Sequence, residues 1–424
     1  MATPEETGGP TAATDQTQSP GQSQIGTVTD GRGTGGRSAV MGAIFLMATS
    51  AIGPGFITQT ASFTVALGAA FACAIVLSVL VDVAVQLNVW RVIGVSGRRA
   101  HELGNDVLPG LGYVLAAFVV AGGLVFNIGN IAGSGLGADA MLGVDPIVGG
   151  AVSAALAIGI FLSRRAGIAL DRVVVVLGIV MILAATAMTL TSSPPVGEAL
   201  RNVVLPDNFD FVAVTTVIGG TVGGYITYAG AHRLLDSGRT GVEHVRDISR
   251  SSVVSILVTG VMRALLFLAI LGVIAAGAKL ATDDPAGSAF QAAAGDAGLR
   301  VFGVILWAAA LTSVIGAAYT SVSFMTTSRT SERTRNLMTV GFIVVTGAIY
   351  VIIHEAPVTL LIFAGTFNGL ILPIGFGVLL WVAWRRRDLL GGYRYPAWLL
   401  TIGALTWLLT LYLGYNALLQ LGTL

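Results

Sequence analysis

The chain has 424 residues, of which 54% are hydrophobic and only 11% charged, with a mean hydropathy of +0.83. That is far more apolar than a soluble globular protein of this length, so an integral membrane protein is implied. The lone cysteine, Cys73, excludes an intrachain disulfide and a thiolate metal cluster.

Residues 1–37 are rich in Gly, Thr, Ser, Gln and Pro without an apolar run, and such a segment cannot bury enough surface to fold alone. They are expected to form a disordered cytoplasmic tail. The first apolar run is of spanning length and follows the tail directly, so no cleaved signal peptide is expected. Apolar runs then place spans at 39–67, 69–90, 111–138, 146–163, 170–190, 211–231, 252–277, 299–325, 337–353, 357–384 and 396–420.

The basic residues test these eleven spans. With the amino terminus cytoplasmic, the inner segments hold Arg32 and Arg37; Arg91, Arg98 and Arg99; Arg164, Arg165 and Arg172; Arg233, Arg239, Arg246 and Arg250; Arg329, Arg333 and Arg335; and Arg385, Arg386, Arg387 and Arg394. Arg201, Lys279 and Arg300 alone fall outside, and Arg263 lies within a span. This is the positive-inside pattern. It predicts a multi-pass protein of the plasma (inner) membrane, amino terminus in the cytoplasm and carboxyl terminus outside. The net charge of +1 hides this asymmetry, and no nucleic-acid partner is expected.

The first span is interrupted at Gly53-Pro54-Gly55-Phe56 and the sixth at Gly219-Gly220-Thr221-Val222-Gly223-Gly224-Tyr225. In a bilayer a helix breaker survives only beside protein or a water-filled cavity, and glycine costs roughly 1 kcal/mol against alanine inside a helix. The two breaks lie five spans apart. They fit an all-α inverted repeat with a first five-helix half at 38–190, a second at 211–384, and an extra helix at 396–420, with a small-molecule site between the breaks. A proline kink and small-residue helix packing are the competing explanations. Polar neighbours of the first break include Gln59 and Thr60; those of the second include Tyr225 and Thr227. None is charged, so recognition there would rest on neutral hydrogen bonds and backbone dipoles.

Asp82 lies inside the second span, where an aspartate costs about 2.5–3.5 kcal/mol. It is the candidate for coupling to H⁺ or Na⁺, against a structural pairing with Arg263. Asn127 and Asn130, three apart in the third span, share a helical face. His232, Arg233 and Asp236 are expected as a topology anchor, with an inner gate as the alternative. Trp90, Trp384 and Tyr395 are expected in the interfacial belt. The chain has no Walker loop, nucleophile elbow, His-Glu-x-x-His or paired catalytic carboxylates. Neither an enzyme nor a primary pump is expected, and no cofactor.

These residues together resemble the natural-resistance-associated macrophage protein (NRAMP) family, divalent-metal transporters with the inverted-repeat fold of the amino-acid transporter LeuT. Gly53-Pro54-Gly55-Phe56 resembles the family's Asp-Pro-Gly-Asn. Gln86, Arg91, Ser96-Gly97 and Glu102 resemble its Gln, basic residue, Thr-Gly and Glu at the same offsets. Asn127 through Ser134 resembles Asp-Leu-Ala-Glu-x-x-Gly-Thr, Gly220 through Tyr225 resembles Ala-Thr-x-Met-Pro-His, and Asn368 with Pro373 resembles the polar residue and proline of the tenth helix. The resemblance implies that the family's side-chain metal ligands fall on Gly53, Phe56 and Gly223, none of which can serve, and that its proton-path residues have become Asn127, Asn130 and Tyr225. A divalent cation needs carboxylate, carbonyl or soft-sulfur ligands, so a change of substrate class is expected and no metal site.

The expected function is a secondary transporter of a small organic solute, coupled to H⁺ or Na⁺, whose partners are that solute and the lipid bilayer. Its binding residues would be Gly53, Pro54, Gly55, Phe56, Gln59, Thr60, Asn127, Asn130, Gly223, Gly224, Tyr225, Thr227 and Asn368. Glycine at 53 and 223 is expected to enlarge the cavity. NRAMP-like bacterial proteins without the metal ligands are sometimes encoded beside 5-oxoprolinase subunits, so the resemblance makes 5-oxoproline a candidate. A divalent-metal transporter with rearranged ligands, and a channel or non-transporting sensor, are the rivals.

Overall fold

The computed structural model describes residues 43–162, 179, 182–327, 330–353 and 357–422, apart from 45, 49 and 184. The expected tail, the start of the first span, most of the fifth, and Arg164, Arg165, Arg172 and Arg329 lie outside the described residues. Among those described, all regular structure is helical: α1 (Pro54–Leu67), α2 (Phe71–Ser96), α3 (Ala100–Val107), α4 (Leu111–Leu142), α5 (Pro146–Leu162), α6 (Val196–Val204), α7 (Phe211–Val222), α8 (Ile226–Asp236), α9 (Val245–Ala275), α10 (Pro285–Met325), α11 (Glu332–Ile353), α12 (Pro357–Arg385) and α13 (Ala397–Gly422). Helical residues 43, 44, 46–48, 50 and 51 lead into the first break. Eight helical stretches among the described residues are long and apolar enough to cross a membrane, and α5 is a shorter apolar helix.

Each expected span except the fifth coincides with a helix or a broken pair. The first two meet at a 3₁₀ turn, Gly68–Ala70, whose Gly68 sits at φ +56°. Several helices run beyond their apolar cores because caps and turns, not hydropathy, end them. Thus α2 continues to Ser96 and stops at Gly97, which takes the left-handed conformation. Likewise α10 begins at Pro285, capped by Asp284, whose side chain accepts from the Gly287 amide, and it kinks at Ala294-Gly295. The short helices α3 and α6 were not expected; both are too polar and too brief for a test based on apolar runs.

One belt assignment is corrected. Trp90 is fully buried, with its ring against Gly230 and Nε1 donating to the Thr227 carbonyl at 3.1 Å. Tyr395 donates to Asn88 Oδ1 at 2.8 Å. Trp384 is exposed, as a belt residue should be.

The broken pair α7–α8 is enclosed on nearly all sides, whereas α11 and α13 turn exposed leucines, valines and isoleucines outward. Close backbone contacts at glycine hold the centre. A Cβ at Gly137 would stand 2.5 Å from Trp307 N, and one at Gly369 would collide with the Thr215 carbonyl. Helix α4 thereby lies directly on α10, and α7 on α12, the small-residue packing that replaces hydrophobic drive in lipid.

Candidate functional site

At the first break, Gly53 is extended (φ −103°, ψ −173°) and Pro54 opens α1 without an amide proton. At the second, Gly223 ends α7 in an extended conformation and Gly224 turns back at φ +51°, so that α8 restarts at Ile226. A side chain at Gly224 would be strained, and its Cβ would collide with Asn368 Oδ1. Both interruptions are thus true breaks, and the glycines around the second also serve packing.

The structure brings most of the expected residues together. A Cβ on Gly53 would lie 2.5 Å from Ser313 Oγ and 3.5 Å from Asn130 Oδ1. The Asn130 side chain also reaches the Tyr225 hydroxyl, although Asn130 Nδ2 and Tyr225 Oη lack a well-formed partner. Tyr225 meets Phe126 edge-on at 5.7 Å between ring centroids, and Phe126 lies over Gly55. Pro54 packs on Gly133. Gln59 is wedged between Gly220 and Gly365; its Nε2 donates to the Leu361 carbonyl at 3.0 Å while Oε1 has no partner. Asn368 donates to the carbonyls of Gly122 (3.2 Å) and Ala364 (2.8 Å), leaving Oδ1 unpartnered against Gly224. The Thr227 hydroxyl is also buried and unpartnered.

Three expectations are revised. Asn127 turns away from Asn130 and donates to Thr346 Oγ1 of α11 at 2.9 Å. Thr60 gives its proton to the Phe56 carbonyl one turn back, at 2.7 Å. Glycine at 223 does not enlarge a cavity: a Cβ there would stand 2.5 Å from the Gly219 carbonyl oxygen and 2.8 Å from the Asn368 carbonyl carbon. Gly223 is a contact between α7 and α12. Gly53, facing the Ser313 side chain, is also close-packed.

Residues the sequence reasoning missed include Ser313, Phe126 and the placement of Arg263. The Arg263 guanidinium lies 4.1 Å from the centroid of the Phe56 ring and is 2% exposed. Its Nη1 donates to Thr221 Oγ1 at 2.8 Å and to the Val217 carbonyl at 3.3 Å; Nε and Nη2 have no partner. Asp82, on α2, is 1% exposed and both carboxylate oxygens lack a partner. The two charges act on each other, yet no N···O contact within 4.0 Å joins them. Gln86, one turn along the same face of α2, leaves its whole amide group unpartnered. Among the described residues no group of three or more His, Cys, Asp or Glu side chains could hold a metal ion.

Residues 44–420 match the family model for natural resistance-associated macrophage protein-like (Nramp) proteins. The chain belongs to the Nramp family. It is 49% identical over 391 residues to YcsG, an uncharacterized membrane protein of Bacillus subtilis (strain 168), with 92% of this chain and 96% of that protein covered. Among solved structures it resembles a mutant of the Eremococcus coleocola manganese transporter (TM-score 0.69, 17% identity, 91% of this chain and 87% of that one). It also resembles MhsT in complex with L-phenylalanine (TM-score 0.61, 16% identity, 89% and 98% covered). The fold is therefore LeuT-like, and Nramp family members are transporters rather than enzymes.

A second polar cluster ties α3, α8 and α10 of this Nramp chain together at the arginine-rich end of the broken helix. Arg99 Nη2 lies 3.0 Å from Asp236 Oδ1, and Arg99 Nη1 donates to the Ser323 carbonyl at 2.7 Å. The Tyr319 hydroxyl donates to the other Asp236 oxygen, and His232 Nδ1 meets Ser323 Oγ at 2.9 Å. His232 is fully buried. His232 is thus an interior bond between helices and not the solvated anchor expected for it, whereas Asp236 is exposed and ties α8 to Arg99 and Tyr319.

Proposed function

We propose that this Nramp-family protein is a secondary transporter that moves a small organic solute by alternating access, through a site between the two helix breaks. The observation that carries this is the character of the polar atoms left unpartnered there. Gln59 Oε1, Asn130 Nδ2, Tyr225 Oη, Thr227 Oγ1 and Asn368 Oδ1 are all neutral, and the buried charges beside them, Arg263 over Phe56 and Asp82, are of opposite sign and supply one carboxylate. A divalent cation stripped of water needs anionic or soft ligands in such a site. A single carboxylate, already set against a guanidinium, is a poor ligand set for such an ion. Neutral amides and hydroxyls, together with half-helix ends, suit an organic molecule with donors and acceptors of its own.

The proposed binding set keeps Gly53, Pro54, Gly55, Phe56, Gln59, Asn130, Gly224, Tyr225, Thr227 and Asn368, and adds Phe126 and Ser313. The repeat halves are assigned to 38–190 and 211–384, with the amino terminus in the cytoplasm on the arginine pattern. Likeness to a manganese transporter favours the rival, metal transport with ligands drawn from elsewhere. Proteoliposomes loaded with pooled small metabolites separate the two. Saturable counterflow of an organic solute that Mn²⁺ does not inhibit supports the proposal, and saturable Mn²⁺ uptake without organic counterflow overturns it.

A further inference from the structure

Arg263 and Asp82 are buried opposite charges that do not touch. Burying an ion without its full set of hydrogen bonds is costly, and a pair that stops short of contact recovers little of that cost. Arg263 nevertheless keeps two donors, Nε and Nη2, unpartnered, and Asp82 keeps all its acceptor sites unpartnered. The guanidinium is held in place through Nη1, by Thr221 and Val217, and by the Phe56 ring. Phe56 belongs to the first break and Thr221 lies in the turn before the second. The unpartnered Nε–Nη2 edge of the guanidinium is a two-donor fork, the geometry that a carboxylate fills.

We propose that Arg263 receives a carboxylate of the transported solute, and that Asp82 takes up one proton as the solute enters. This rests on the organic-solute reading above and names its chemical class. In the empty site Arg263 and Asp82 balance each other. In the loaded site the solute carboxylate balances Arg263, and a second carboxylate beside it would leave an uncompensated negative charge, which protonation of Asp82 removes. The buried charge is zero in both states, so one proton travels with one carboxylate and transport carries no net charge. Thr221 accepts from Arg263 and gives its own proton to the Val217 carbonyl, so it leaves the Asp82 carboxylate without a donor.

Arg263 is the one charge that acts on Asp82. The other ionisable groups on helices packed against α2 include Glu198 and Arg201 of α6, Tyr228 and His232 of α8, Arg385 of α12 and Tyr412 of α13, and none makes an ion pair or hydrogen bond with Asp82.

The test uses the purified full-length protein and two probe pools, small monocarboxylic acids and the primary amides of the same acids, with retained compounds identified by mass spectrometry. Wild type is expected to retain an acid and not its amide, with a Kd that rises about tenfold per pH unit where loading takes up a proton. Asp82→Asn should retain the same acid without that pH dependence, and in liposomes wild-type uptake should ignore a membrane potential. Arg263→Gln should weaken retention about 100-fold. Because that change strands Asp82, the charge-balanced double variant Asp82→Asn/Arg263→Gln is tested beside it, and should fold but retain no acid. Acid retention undiminished in the double variant, or retention of amides as tight as acids, overturns the role of Arg263 while leaving the organic-solute reading standing. Unchanged pH dependence in Asp82→Asn overturns the role of Asp82. Retention of neither pool by wild type overturns both the inference and the reading beneath it.

Discussion

Replacing Gly223 by alanine tests whether the second break is held by packing. The added Cβ would lie 2.5 Å from Gly219 O, 2.6 Å from Gly219 Cα and 2.8 Å from the Asn368 carbonyl carbon. The first two belong to α7 itself and the third to α12, all of them backbone, so no rotamer change relieves the overlap, and the end of α7 must distort as well as draw away from α12. Overpacking of this kind costs about 1–3 kcal/mol, and the upper end applies where rigid backbone is displaced. Gly53→Ala provides the internal comparison. Its obstacles are side-chain atoms, Ser313 Oγ at 2.5 Å and Ser313 Cβ at 3.2 Å, which give way at less cost than backbone, so roughly 1 kcal/mol is expected. Thermal unfolding in detergent, followed by loss of the monodisperse peak, should rank the variants wild type, Gly53→Ala, Gly223→Ala in falling stability. Wild-type stability in Gly223→Ala, or a larger loss at Gly53, would refute the packing argument and restore the idea of an open cavity at 223.

Asp236→Asn should destabilise the protein by about 1–2 kcal/mol, because it takes the countercharge from the buried Arg99 guanidinium at a pair whose acidic member is exposed; Asp236→Glu should recover part of the loss in the same assay. Trp90→Phe removes the bond to the Thr227 carbonyl in the first turn of α8 and should cost about 1 kcal/mol, with uptake reduced more than stability if the half-helix shifts. At Asp284, burial outweighs the Gly287 amide bond and holds the carboxyl above the usual range. A carboxyl raised in the folded state favours folding at low pH and loses that advantage as pH rises through its folded value. Asp284→Asn keeps the capping acceptor without the charge, so its stability relative to wild type should improve from pH 4 to pH 7; the opposite trend would contradict the assignment.

Much of this architecture was legible in the chain because lipid imposes simple rules. Spanning runs, arginine placement and helix breakers each follow from the cost of unpaired backbone or charge in hydrocarbon, and each points to the same arrangement. Side-chain direction was less legible. Asn127 and Asn130 share a helical face in sequence, yet only Asn130 reaches the breaks; Asn127 meets Thr346 of α11. Trp90 lies at the end of an apolar run like a belt residue, but α2 continues past it and the ring is enclosed by α8. Glycine at 223 has the same letter whether it opens space or permits contact, and only the position of α12 decides. Ser313 carried a usable signal, a Thr-Ser pair at 312–313 inside an apolar helix, whereas the stacking of Arg263 on Phe56 depends on how α9 crosses α1.

The central claim is that the centre of this Nramp-family fold accepts an organic solute in place of a metal ion. The most direct measurement is calorimetric titration of the purified protein with Mn²⁺, with Mg²⁺, and with a panel of small carboxylates that includes 5-oxoproline. Saturable heat with a carboxylate and none with either metal is the predicted result. Saturable heat with Mn²⁺ or Mg²⁺, and none with any organic acid, would contradict it.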